Sequence, residues 1–342
     1  MNESPRLGGV LLALFAALVA ILLIFTGTRS SRQALVVYCA HDSVYSEQVL
    51  RQFEQQTGIP VSIRFDTEAT KSLGLVNLLI REKDNPRCDV FWNNQVLGTI
   101  ELAQQEVLQP YRGSGYARIP DRFKDPDGNW TGFASRLRVF IVNTDTLPAT
   151  EKAIEESLEA DLSRMAVAKP MYGTTLSHYT LLWHLWGGEQ LKQWHTETRK
   201  RGLREVAGNA NVMNLVASGV CDFGWTDTDD FFVAADDGSP VDMLPIRLEG
   251  SAICIPNSVA IIRGTDKLSE AQQLVDFLLS EENELALSRS RARQIPLGPV
   301  DETELTDDVR RLWRWSQSGH DLTQLGPSRR ECLQWLESEY LQ

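Results

Sequence analysis

Cysteine is scarce, five residues in 342, and no two stand in a Cys-x-x-Cys pair. That speaks against a zinc-ribbon or thioredoxin-type site. An odd number also leaves at least one thiol outside any disulfide framework. Cys39, Cys88, Cys221 and Cys254 lie in or beside apolar, strand-like runs, which suits buried thiols acting as small apolar groups. Basic charge is in deficit, 34 Lys and Arg against 46 Asp and Glu. That balance argues against a nucleic-acid partner and favours a soluble, freely diffusing surface. The chain has no Gly-x-Ser-x-Gly elbow, no His-Glu-x-x-His and no phosphate-binding P-loop. His41-Asp42-Ser43 offers hydrolase residue types, but a triad needs neighbours in space rather than in sequence. His178 and His184 stand six apart on an expected helix, badly placed to share a metal. Internal repeats and low-complexity segments are absent too. These absences favour a binding protein over an enzyme.

Long apolar runs are missing after residue 33, but one stands before it. Leu7 to Phe25 is apolar, and Gly8 to Gly27 carries no charge. About 20 such residues span a bilayer as a helix. Arg6 precedes the run and Arg29 and Arg32 follow it, so flanking charge does not set an orientation. The run is long for a cleaved signal, and Thr26-Gly27-Thr28 is a poor cleavage site. No Cys closes it, which argues against a lipoprotein anchor. Residues 1–33 therefore read as an apolar N-terminal helix, a retained membrane anchor in preference to a cleaved signal. Either way the remainder is expected outside the cytoplasm, periplasmic in a bacterium.

The rest reads as alternating strands and helices. The run 34–40 is a short buried strand, 44–57 a helix with Ser43 as its cap, and Gly58 with Pro60 the stop. A strand at 61–65, a helix at 70–82, a strand at 89–94 and a helix at 98–104 follow. After a Gly-, Pro- and Asp-rich excursion at 112–130 come a strand from 135 and a helix at 151–161. Next are a strand ending at Lys169-Pro170, a turn over 172–175 and a helix at 176–186. Then come a helix at 211–218, a strand at 221–226, another helix, a strand-like run at 251–264 and a helix at 268–287. The tail, 301–342, reads as helical, with Trp313, Trp315 and Trp335 as packing anchors. This alternation predicts an α/β fold with a mostly parallel sheet, in which ligands sit at the carboxyl ends of strands. That rule singles out the turns Ala40–Ser43 and Trp92–Gln95.

Other candidates follow from residue chemistry. Thr226-Asp227-Thr228-Asp229-Asp230 could cap a helix, but a cap does not require three Asp in four positions. At least one of Asp227, Asp229 and Asp230 is therefore expected to meet a ligand. Gly173-Thr174-Thr175 opens a helix whose free N–H groups and hydroxyls suit an oxyanion, and Ser43 sits at a similar start. Arg136 and Arg138 share one face of a strand, placed to contact an anion or to pair with Asp or Glu across a hinge. Tyr172 and Trp225 are candidate walls. Trp92 and Trp183 read as core.

Five blocks carry a resemblance: 36–61, 88–111, 169–178, 219–234 and 255–262. In that order and spacing the chain resembles the extracellular solute-binding proteins, family 1, of ABC importers, nearest their ferric-iron-binding branch. The resemblance covers roughly Leu35 to Pro299. It implies a two-lobed periplasmic-binding-protein fold of type II, with a hinge of two crossing strands near Ser135–Val142 and Ile255–Ile262. Lobe 1 would be 34–136 plus 260–342 and lobe 2 would be 137–259, with the C-terminal helices on lobe 1. It also implies a membrane permease as partner. The iron ligands of the branch are altered, however. Asp42 stands where a His is usual, Asn94 where a Glu is usual, and Asp229 and Asp230 where paired Tyr are usual. Carboxylates and an amide suit a hard cation, Fe³⁺ or a divalent ion, with Asp229 and Asp230 as the metal ligands. They equally suit a polyol, an ammonium group or a zwitterion. An organic or phosphorus-containing solute, and a ligand-sensing receptor domain, remain as alternatives.

Overall fold

The computed structural model describes residues 33–66 and 72–341. The apolar run 8–27, expected as an N-terminal helix, lies outside the described residues. Among those residues no helix is long and apolar enough to cross a membrane.

The first elements alternate as expected: β1 (Leu35–Cys39), α1 (Ser43–Thr57), β2 (Val61–Phe65), α2 (Leu73–Arg81), β3 (Val90–Asn93) and α3 (Leu97–Gln104). After the short β4 (Leu108–Gln109) and α4 (Ser114–Arg118) comes β5 (Thr131–Asn143). Then follow α5 (Glu151–Glu159), β6 (Met165–Ala168), α6 (Gly173–Trp186), α7 (Gly188–Lys200), β7 (Arg204–Val206), α8 (Asn209–Ala217), β8 (Phe223–Asp227) and α9 (Thr228–Asp236). The chain ends with β9 (Val241–Pro245), β10 (Arg247–Leu248), β11 (Ser251–Ala252), β12 (Cys254–Ile262), α10 (Leu268–Leu278), α11 (Glu281–Arg289), α12 (Asp307–Ser316) and α13 (Gly326–Tyr340). One helix predicted at 268–287 is in fact two. Ser280 breaks it and caps the second by accepting the Asn283 N–H.

The strands run in the order β2-β1-β3-β12-β5-β8-β6-β7, with β4 and β9 alongside β12 and β5. Pairing is parallel at both flanks, β1 with β2 and β3, and β6 with β7 and β8. It is antiparallel in the middle, where β12 meets β3 and β5 and β5 meets β8. Buried β-branched runs such as Leu-Val-Val-Tyr-Cys suit strands covered on both faces. The first half of β5, residues 131–137, pairs with β12, whereas 138–143 pairs with β8 and β9. This is the two-lobed α/β arrangement, with long strands passing from one half of the sheet to the other.

Where β5 and β12 meet, the register slips between Pro256 and Asn257. Ala134 has a positive φ of 40° there, unusual for a residue with a Cβ. Its N–H donates to Glu284, and its carbonyl accepts from the Asn257 amide. Glu284 is fully buried, pairs with Arg118 at 2.5 Å, and also accepts the N–H groups of Leu297 and Gly298. A buried carboxylate with this many donors fixes the bulge.

The C-terminal helix departs from expectation. Helix α13 packs mainly on α6, the Trp335 ring 5.7 Å from Trp183 and 6.5 Å from Tyr179. It meets α3 through Arg329 and Glu101, 3.4 Å apart, and Arg330 and Gln104. It therefore straps elements from both halves of the sheet. All five cysteines are buried.

Candidate functional site

Four helices begin around one cavity of about 230 Å³: α1, α6, α8 and α9. Each follows a strand, so the cavity lies at strand carboxyl ends, as the fold rule requires. Asp42 enters from just before α1, Tyr45 from its first turn, and Asn94 from the turn after β3. Arg136 comes from the crossing strand β5. Tyr172, Thr174 and Thr175 come from the start of α6, Asn209 from the start of α8, and Asp227, Asp229 and Asp230 from the turn between β8 and α9. The positive ends of helix dipoles favour carboxylates here.

Asp227 precedes the first turn of α9, yet its side chain makes no cap bond. It reaches across to Arg138 at 2.7 Å and accepts from Thr174 at 2.6 Å and Asn209 at 3.0 Å. Asn209 also donates to Thr174 and accepts from Arg138 and Thr175. Arg138 is fully buried, so this ion pair is shielded from solvent. Arg136 stands 3.3 Å from Asp229 and donates to the Asn94 carbonyl and the Asn257 side chain. Burial pulls the Arg136 pKa down, but Asp229, Asp227, Asp42 and Asp230 outweigh it and leave the guanidinium more firmly protonated than usual. Asp230 accepts from Thr226 at 2.9 Å. Burial, then the nearby Asp229 and Asp227 charges, push its carboxyl well above the ordinary range. Tyr45 is raised to about 12 by burial and by Asp229 and Asp42. Carboxylate oxygens of Asp227, Asp229 and Asp230 lie within 4.8 Å of one another.

The structure thus brings Asp42, Asn94, Arg136, Thr174, Thr175, Asp227, Asp229 and Asp230 to one cavity. Ser43 is not there: α1 begins one residue earlier than predicted, and Ser43 is exposed as its first residue. Helix α6 likewise starts at Gly173 rather than Leu176, which puts both threonines in its first turn. Arg138 stands behind the cavity as a partner of Asp227. Trp225 lines a different pocket, whereas Tyr172 does line this one. Trp92 is fully buried, but Trp183 is only partly so, its indole donating to Glu331. Tyr45, Lys169 and Asn209 were not anticipated. Asn209 follows β7 at a helix start, so the strand-end rule applied to that short strand would have found it.

A family model described as bacterial extracellular solute-binding protein matches residues 35–290, and the chain belongs to this family. A curated relative, the major ferric iron-binding protein of Neisseria meningitidis, is 23% identical over 287 residues, covering 78% of this chain and 81% of that one. An uncharacterized protein of Haemophilus influenzae is 24% identical over 301 residues, covering 83% of this chain and 84% of its own. Among solved structures, iron-bound HitA from Pseudomonas aeruginosa superposes with a TM-score of 0.77 at 22% identity, covering 90% of this chain and 98% of its own. The periplasmic binding protein AfuA from Actinobacillus pleuropneumoniae, with fructose-6-phosphate bound, does so with a TM-score of 0.75 at 19% identity, covering 90% and 98%. The protein is a substrate-binding component of an ABC importer. It captures a small solute outside the cytoplasm.

Proposed function

We propose that the solute is a hard cation held by carboxylate oxygens, with Asp229 and Asp230 as its principal ligands. The observation that carries this is the grouping of Asp227, Asp229 and Asp230 within 4.8 Å, in a cavity that Asp42 also lines. Among the described residues of its lining, only Arg136 and Lys169 oppose them. Such a group repels anions and is relieved by a cation. Asp227 is already engaged by Arg138, Thr174 and Asn209. Each of the Asp229 and Asp230 carboxylates offers about four acceptor sites that a cation can share. Asn94 adds a neutral oxygen, Oδ1, that is buried with no hydrogen-bond partner among the described residues. Phenolate ligation has less support, since the acids around Tyr45 hold its proton on. The cargo would be a divalent ion or ferric iron bound through carboxylates. Binding across the cavity would draw residues 34–136 plus 260 onward towards residues 137–259, the lobes we propose, with α13 strapped across both. The closed form would then dock on the permease. Residues 8–27 would keep the protein at the membrane as an anchor.

A phosphorylated solute is a second reading. The N–H groups opening α6 and the exposed Lys169 favour it, and AfuA is a neighbour with a sugar phosphate bound. Thermal unfolding of the full-length protein with Mn²⁺, Ca²⁺, ferric citrate or fructose-6-phosphate separates the two. A ligand at ~100 times its Kd adds about 2.7 kcal/mol. We expect a metal ion to raise Tm, and Asp229→Asn with Asp230→Asn to abolish the rise. Stabilisation by the phosphate ester alone would overturn the cation reading.

A further inference from the structure

A second pocket, about 420 Å³, lies deeper along the same sheet face, beneath α6. It shares no lining residue with the cleft. Its walls are Phe140 of β5, Trp225 of β8, His178, Leu182 and Trp186 of α6, and Trp194 of α7. The Trp194 and Trp225 rings stack, 5.4 Å apart and 3° from parallel. His178 lies 4.4 Å from Trp225 on a tilted plane. Phe140, Trp186 and Trp194 are only half-buried, so the pocket keeps aromatic surface open to solvent. Its volume falls within the usual range for small-molecule sites, 300–1,000 Å³ by order of magnitude.

Glu151, Glu155 and Arg247 also line it, as does Thr198, whose hydroxyl is bonded to the His195 carbonyl; His178 and Trp225 are the polar groups left unanswered. His178 is fully buried, and neither ring nitrogen has a hydrogen-bond partner among the described residues. The indole N–H of Trp225 is also without one. Leaving such groups unpaired in a buried site is costly, so a partner that satisfies them is favoured. Burial first, and then the Arg138 cation, hold the His178 pKa well below its ordinary value, so the imidazole is neutral. A neutral imidazole presents one donor and one acceptor, and the indole adds a donor.

We propose that this pocket is a second binding site, separate from the cleft, for a flat uncharged aromatic molecule. That molecule carries a hydroxyl or similar group that hydrogen-bonds with His178 and Trp225. The rings supply stacking area, and the orphaned nitrogens supply orientation. The assignment stands whatever the cleft binds.

The probe is 2-naphthol, titrated into the full-length protein and followed by tryptophan fluorescence and calorimetry. Saturable binding at one site per chain is expected, with quenching of the stacked indoles. His178→Leu should weaken it about tenfold, the worth of one good hydrogen bond. Leu158→Trp, which fills the pocket from the half-buried face of α5, should abolish it. Asp229→Asn with Asp230→Asn should leave it unchanged. No saturable binding, or equal binding in wild type and both pocket variants, would overturn the proposal, as would loss of binding in the cleft variant. Should a pocket variant fail to fold, wild-type crystals soaked in 2-naphthol decide. Ring density against Trp186 and Trp194 supports the assignment, and density confined to the cleft refutes it.

Discussion

The cleft and the aromatic pocket draw on the same three elements. Strand β5 gives Arg138 to the cleft network and Phe140 to the pocket; β8 gives Asp227 and Trp225; α6 gives Thr174 and, one turn on, His178. In the cleft network the buried Asp227 carboxylate is held by Arg138, Thr174 and Asn209. In the pocket, one turn away, the polar atoms of His178 and Trp225 have none among the described residues. Strand ends gather helix N-termini and can afford charge there. Further along the same face the lining is mostly aromatic and aliphatic, so a buried polar group there depends on whatever enters.

The comparison breaks most visibly at Arg138. Arg138→Met leaves Asp227 buried without its cation and should cost about 3–5 kcal/mol in urea unfolding. A loss under about 1 kcal/mol, the ordinary range for an exposed pair, would mean that the network is not the structural half of the site. Next, removing the two outer acids should separate stability from binding. Asp230→Asn should raise the Tm of the ligand-free protein, because crowded carboxylates repel, and Asp229→Asn with Asp230→Asn should weaken Mn²⁺ binding at least tenfold by calorimetry. Unchanged Mn²⁺ affinity would remove both residues from the ligand set. On the pocket side, His178→Leu should stabilise the ligand-free protein by about 1 kcal/mol, since it deletes unpaired buried nitrogens. A clear loss of stability would show that His178 already has a partner.

The smallest effect is in the pH dependence, and its sign differs between the two regions. The Asp230 pKa is raised in the folded protein above its usual 3.8, so the folded state holds that proton longer than the unfolded chain. Its stabilising contribution is full below pH 3.8 and is lost as pH rises through the folded pKa. The His178 pKa is lowered below its usual 6.5, so the unfolded chain takes the proton first. Stability from that residue is complete above pH 6.5 and falls as pH drops below it. Unfolding curves of Asp230→Asn and His178→Leu against wild type from pH 4 to 8 should therefore diverge in opposite directions, with pH 4 and 8 taken as roughly bracketing the ordinary carboxylate and imidazole ranges. Parallel curves would mean that one of the two groups is not where its burial places it.

Much of this was legible in residue order. The β-branched run at Leu35–Cys39, the stop at Gly58 and the carboxyl-end rule led to Asp42 and Asn94, and the three acids after β8 announced themselves. Ser43 was misread because caps shift by a residue without changing the pattern. Asn209 was passed over because β7, only three residues long, gives a weak periodic signal. The strap made by α13 was assigned to one side of the sheet only, because an amphipathic helix shows that it has a partner but not which one.

By itself, the sequence determined what is local and periodic: the alternation of strand and helix, the acid-rich turns at strand ends, and the family. Tertiary structure alone decided which acids are already paired, since that depends on Arg138, Thr174 and Asn209 arriving from three distant segments. It also decided that His178 is buried against Trp225 of β8, which in turn stacks on Trp194 of α7. Neither can be read along the chain, because pairing and desolvation belong to neighbours in space.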